Sequence, residues 1–126
     1  MNKTPIHSDN APAAVGPYSQ AIVANGLVFC SGQGGLDPKT GKLVDGGIQA
    51  QTTQVLTNLR SVLEAAGSSL DNVVKTTVFL KDMSDFAAMN QTYASFFPGT
   101  PPARSTVQAT APLPGMLVEI ELIALL

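Results

Sequence analysis

Only two stretches of this 126-residue chain repeat apolar residues at the helical steps of three and four, and that restricts the fold more than any other feature. In the first, Ile48, Val55, Leu56, Leu59, Val62, Leu63 and Ala66 form one stripe, and Gly67 follows where a left-handed cap is needed. In the second, Phe86, Met89, Tyr93, Phe96 and Phe97 form the stripe, with Asp82 or Ser84 as N-cap and Pro98-Gly99 as the stop. Most other apolar residues must then enter strands. Tyr18 to Ala24 and Leu27 to Ser31 suit a hairpin turning at Asn25-Gly26, a pair that tolerates the positive φ of a type I′ turn. Gly32 to Gly47 holds six glycines and a turn at Asp37-Pro-Lys-Thr-Gly41, so it reads as a long connection. Val73 to Leu80 is rich in β-branched residues, with Val74, Thr76, Val78 and Leu80 on one face and Val73, Lys75, Thr77 and Phe79 on the other. Strands are also expected at Ala103 to Thr110 and Leu117 to Leu125. The expected order is ββαβαββ, an α+β fold with both helices on one face of a sheet.

Two helices cover one sheet face and leave the other bare. In the last strand Val118, Ile120, Leu122 and Ala124 point one way, while Leu117 and Ile123 point the other beside Glu119 and Glu121. A second apolar face implies a partner surface, so a homo-oligomer is expected, with polar pockets where subunits meet.

The length suits a single domain spanning residues 1–126, and 44% hydrophobic against 13% charged residues is too apolar for intrinsic disorder. Seven basic and nine acidic residues leave a net charge of −2, with no basic run, which makes nucleic acid an improbable partner. One cysteine, Cys30, and one histidine, His7, allow neither an internal disulfide nor a Cys/His zinc cluster. Lys3, His7, Asp9 and two prolines interrupt the first fourteen residues, unlike a signal peptide, and no apolar run approaches membrane-spanning length. The expected location is cytoplasmic.

Among residues able to carry chemistry, Arg104 stands out because Thr100-Pro-Pro-Ala stiffens its approach to a strand. It shares a face with Thr106, Gln108 and Thr110, and its planar fork of donors matches a carboxylate. The competing reading is a structural ion pair with Glu119 or Glu121. Those two glutamates share a face of the last strand, and desolvation at a subunit junction would raise their proton affinity toward neutrality; either can equally be a plain ion-pair partner. Tyr18 can line a pocket or simply be a core residue with a wet tip. Asn90 lies within the second helical stripe and needs a specific partner, in the protein or in a ligand. Ser31-Gly-Gln-Gly-Gly35 lacks the spacing of a phosphate loop, though Gly32 permits close backbone approach by a small ligand. Cys30 reads as a buried apolar residue, and His7 is poorly placed for nucleophilic catalysis.

Six segments together carry a resemblance: Asn10-Ala-Pro-Ala-Ala-Val-Gly-Pro-Tyr-Ser-Gln20, Ser31-Gly-Gln33, Val73-Val-Lys-Thr-Thr-Val-Phe-Leu-Lys-Asp82, Asp85-Phe-Ala-Ala-Met-Asn90, Pro102-Ala-Arg-Ser105 and Val118-Glu-Ile-Glu121. In this order and spacing the chain resembles the RidA/YjgF family. The resemblance implies a chorismate-mutase-like (bacterial type) fold assembling as a trimeric barrel. It also implies 2-iminobutanoate/2-iminopropanoate deaminase activity, the hydrolysis of reactive enamine/imine intermediates to 2-oxoacids and ammonium, without cofactor or metal. By the same resemblance Arg104 clamps the substrate carboxylate, Glu119 holds the attacking water, Tyr18 lines the pocket, and Gly32 and Asn90 lie near the ligand. Thr106 stands where many relatives carry cysteine, so it offers a hydroxyl and backbone groups in place of a thiol. Pro101 replaces a frequent aromatic residue on a shortened loop. A non-catalytic 2-oxoacid-binding sensor or chaperone-like trimer is the alternative, and Glu119 speaks against it, because carboxylate binding gains nothing from a neighbouring anion. A ribonuclease, the third reading, is disfavoured by the acidic balance and the lack of a catalytic histidine.

Overall fold

The structure is a computed structural model, and it describes residues 2–126. Strands β1 (Thr4–Ile6), β2 (Ala21–Ala24), β3 (Leu27–Gly34), β4 (Val73–Leu80), β5 (Ala103–Gln108) and β6 (Val118–Leu125) form one sheet in the order β1-β2-β3-β6-β4-β5. Helices α1 (Gly47–Ala65) and α2 (Phe86–Phe96) pack on each other, and α1 also packs on β3 and β6. The β6 strand runs antiparallel to both β3 and β4, so it is inserted between two strands that α1 joins in sequence, while β4 and β5 pair in parallel around α2.

Both helices lie where the apolar stripes put them, and α1 ends on Gly67 at φ 86°. Val55, Leu56, Leu59, Val62 and Leu63 are fully buried against Val28, Val78, Val118, Ile120 and Ala124 of the sheet. Asn25 and Gly26 both take positive φ, 52° and 75°, as the β2–β3 turn demands. Asp82 caps, but it accepts from Ser84 N–H in a short 3-10 turn that precedes α2.

Four expectations need correction. The sequence reading has no strand before Tyr18, whereas Thr4–Ile6 pairs with β2, making the order βββαβαββ. Tyr18 does not begin β2: pairing with β1 and β3 starts only at Ala21, after a bent Gly16-Pro17-Tyr18 segment in which Tyr18 N–H donates to Gly16 O. The long connection does not start at Gly32, because Gln33 and Gly34 pair with Ile120 and Glu119 after a bulge that follows Cys30. A second irregularity, between Val73 and Lys75, buries Val73 and leaves Val74 41% exposed, reversing the expected facing of these two residues.

The face of the sheet away from the helices carries Phe29, Val107 and Leu125, each more than 40% exposed, together with Phe79 and Ile123. No helix of the described residues is long and apolar enough to cross a membrane.

Candidate active site

The bulge in β3 shapes the first half of the site. Cys30 and Gln33 both turn inward and are buried, which leaves Ser31 and Gly32 together on the open face beside the end of β6. There Glu119 lies directly over Gly32. A Cβ on Gly32 would sit 2.9 Å from Glu119 Cδ, so the glycine is needed for the carboxylate to rest where it does. Glu119 and Gly32 line a pocket of about 530 Å³ with Tyr18, Val15, Leu113 and Met116. Tyr18 contributes its ring to the wall, and its hydroxyl accepts from Val15 N–H at 3.3 Å. Burial raises the proton affinity of Glu119 above the ordinary carboxylate range, and the negative charge of Glu121, in the same pocket, adds to the shift.

The second half lies on the opposite face. Arg104 pairs with Thr76 across β4–β5 and points toward α2, where its guanidinium carbon stands 4.9 Å from the centroid of Tyr93 and 5.6 Å from that of Phe86. Among the described residues no carboxylate lies within ion-pair distance of it. The expected alternative, an ion pair with Glu119 or Glu121, is therefore not made within the chain. A groove of about 400 Å³ opens beside the guanidinium, lined by Asn90, Tyr93, Phe97, Pro101 and Pro102. Asn90 Oδ1 is buried there without a hydrogen-bond partner. The Tyr93 hydroxyl is 2.7 Å from Thr76 Oγ1; burial pushes its pKa up, against the opposing pull of that hydrogen bond and of the Arg104 charge.

The structure thus divides the residues singled out from the sequence. Tyr18, Gly32 and Glu119 share one pocket, Asn90 and Arg104 share another, and Thr106 lines neither, although its Oγ1 is buried without a partner. Tyr93 is a residue that the sequence reading leaves in the apolar stripe; its place three positions after Asn90, on the same helix face, was the available signal. A larger cavity, about 610 Å³, runs along residues 108–115, with Lys81 as its one ionic side chain. Burial pushes the Cys30 thiol up to about 12, far from thiolate reactivity at neutral pH. Among the described residues no three His, Cys, Asp or Glu side chains converge as metal ligands would.

A six-stranded sheet with two helices on one face, a carboxylate pocket on one side and a cation groove on the other defines an α+β module with two polar clefts. The chain belongs to the Endoribonuclease L-PSP family, the RidA/YjgF proteins, matching it over residues 8–126. It is 52% identical over 122 residues to a RutC family protein of Pyrococcus horikoshii, covering 97% of each chain. It is 50% identical over 119 residues to a mouse protein named 2-iminobutanoate/2-iminopropanoate deaminase, covering 94% of this chain and 88% of the mouse one. The crystal structure of RidA from an Antarctic Psychrobacter superposes with a TM-score of 0.93 at 46% identity, covering 98% of this chain and 99% of the other.

Proposed function

We propose that the protein hydrolyses small 2-iminoacids to 2-oxoacids and ammonium, at sites assembled between protomers of a trimer from the Arg104 groove of one copy and the Glu119 pocket of the next. The observation that carries this is the guanidinium of Arg104, seated on two aromatic rings beside an open groove and without a carboxylate partner among the described residues. A cation held this way is preorganised for an external carboxylate, and a 2-iminoacid brings one next to its reacting carbon. The exposed apolar residues of the open sheet face support a partner subunit there, and the name of the mouse relative supports the reaction.

The chemistry asks little of the protein. The C=N carbon is electrophilic, so Arg104 fixes the substrate by its carboxylate while Glu119 orients a water against that carbon. Water oxygen bonds to C2 while one of its protons passes through the Glu119 carboxylate to the nitrogen; the C2–N bond then breaks as the carbonyl forms, and the remaining hydroxyl proton passes through Glu119 to the departing ammonia. A glutamate whose proton affinity is raised by burial suits this shuttle better than an ordinary one. Tyr18 closes the pocket, Gly32 lets ligand and Glu119 approach the backbone, and Asn90 offers an unused acceptor to the substrate, whereas Thr106, its Oγ1 buried and its side chain lining neither pocket, makes no contact with it. The endoribonuclease in the family's name fits this chain less well, because a net charge of −2 attracts no phosphate backbone and the exposed His7 is hydrogen-bonded to Asp9, lining neither pocket.

The test is to generate iminoacids in situ with an amino-acid oxidase and time 2-oxoacid appearance. Arg104→Ala should remove at least about tenfold of the enhancement over spontaneous hydrolysis, since it deletes charge-assisted bonds to the substrate. Rates equal to wild type would reject the reading. Mixing Arg104→Ala with Glu119→Gln chains and reassembling them should restore about one quarter of wild-type activity, because that fraction of junctions inherits both intact halves. No recovery would place the two residues in one protomer's site or in none.

A further inference from the structure

Glu119 is held at its pocket from two sides. Backbone pairing holds one side: Glu119 is opposite Gly34 on β3 and Phe79 on β4. On the chain before it, residues 109–117 have no regular structure, so the entry into β6 depends on other bonds. The side chain of Gln51, on α1 and 4% exposed, supplies them. Its Nε2 donates to Gly115 O at 3.0 Å, and its Oε1 accepts from Leu117 N–H at 2.8 Å. One amide therefore brackets Met116 from both sides. Met116 is itself 3% exposed and its side chain packs directly on Gly34, where an added Cβ would have to push the end of Met116 aside.

These contacts form a continuous mechanical path. Gln51 grips 115 and 117, the grip seats Met116 on Gly34, and Gly34 pairs with Glu119. The same helix also reaches the far end of β3, where Asn58 Nδ2 donates to Gly34 O at 3.3 Å and to Leu36 O at 2.9 Å. A buried amide near the start of a helix costs folding free energy unless both its groups are paired. Here both are paired, and both partners lie in the segment that delivers the reacting carboxylate.

We propose that Gln51 is a positioning residue that acts through its bracket on residues 115–117 to hold Glu119 against the reacting carbon. The inference rests on the deaminase reading for what Glu119 does; the bracket itself does not. Glu119 and Arg104 lie on opposite faces of the sheet, so loosening the bracket should affect turnover and leave carboxylate binding alone.

Two variants test this in the assembled protein. Gln51→Glu keeps the side-chain shape and the bond from Leu117 N–H but replaces the donor to Gly115 O with a carboxylate oxygen that repels it; Gln51→Met keeps the volume and loses both bonds. Both variants should lower kcat, by about tenfold or more. The dissociation constant of a 2-oxoacid, pyruvate, measured by calorimetry, should stay within about twofold of wild type. Amide hydrogen exchange should speed up at residues 115–119 and remain unchanged across the α1–α2 contact. Unchanged kcat in both variants would overturn the proposal. So would pyruvate affinity and kcat falling together, which marks general loosening. Should Gln51→Met fail to fold, Gln51→Glu alone decides by the same kcat and affinity criteria. If the wild-type protein shows no turnover, the deaminase reading falls and kinetic positioning with it, while exchange at 115–119 still reports on the bracket.

Discussion

Gly32→Ala separates the placement of Glu119 from the stability of the fold. The new Cβ would meet Glu119 Cδ at 2.9 Å and both Cγ and Oε2 at 3.1 Å. Carbon atoms rest at about 3.5–4.0 Å, so the carboxyl group must withdraw by roughly 0.6–1.1 Å. It can do so by rotating its own side chain, because the obstructing atoms are the end of a flexible chain rather than backbone. Gly32 is not among the glycines with positive φ, so alanine adopts its backbone conformation without strain. An alanine in a strand is about 0.5–1 kcal/mol better than glycine, which offsets much of the contact cost and leaves the melting temperature within a few degrees of wild type. The reaction should suffer far more. A displacement near 1 Å in a group that orients the attacking water costs on the order of 10- to 100-fold in kcat/KM. The assay is again 2-oxoacid appearance from iminoacid generated in situ, with thermal unfolding run on the same samples. Adding Glu119→Ala should release the contact, so that Gly32→Ala becomes stabilising by about 0.5–1 kcal/mol in that background and not in wild type. A folded Gly32→Ala protein turning over at the wild-type rate would show that the position of Glu119 above Gly32 has no bearing on catalysis.

Two further outcomes follow from the electrostatics and packing of the site. Burial and Glu121 raise the Glu119 pKa, so its contribution to folding is fully present below the unfolded glutamate value, about 4.3, and is lost as pH rises through the higher folded value. Glu119→Gln should therefore melt at a higher temperature than wild type at neutral pH, with the difference shrinking as pH falls toward 4; a difference that grows on acidification would refute the assignment. Tyr93→Phe leaves Thr76 Oγ1, on a residue with no exposed surface, without its 2.7 Å partner. It should cost about 1–3 kcal/mol in denaturant unfolding while keeping the ring beneath Arg104, so turnover should change by less than about threefold; a large kcat loss with unchanged stability would assign the hydroxyl a direct part in the reaction.

Where local chemistry dominates, sequence and structure agree residue by residue. The turn at Asn25-Gly26, the Gly67 cap and the full extent of β4 were legible because each depends on neighbours a few positions away. The misreadings occur where the sheet overrides alternation. Val73 and Val74 are equally apolar, and only the irregular pairing with β6 decides which is buried. Gly32 to Gly34 looks like loop sequence, yet β6 recruits Gln33 and Gly34 as strand after a bulge. The Thr4–Ile6 strand has too few apolar residues to announce itself and exists because β2 offers it an open edge.

The site divides in the same way. The amino-acid order alone determined the two helices and the α+β class, and it put forward the side chains proposed to handle a carboxylate and a proton, since stripe spacing and functional-group chemistry are properties of short segments. Only the tertiary structure decided that Arg104 and Glu119 face opposite sides of one sheet, that Arg104 rests on Tyr93 and Phe86 instead of a carboxylate, and that Gln51 grips the entry to β6. The physical reason is that side-chain facing in a sheet depends on register, and register is set jointly by strands far apart in the chain.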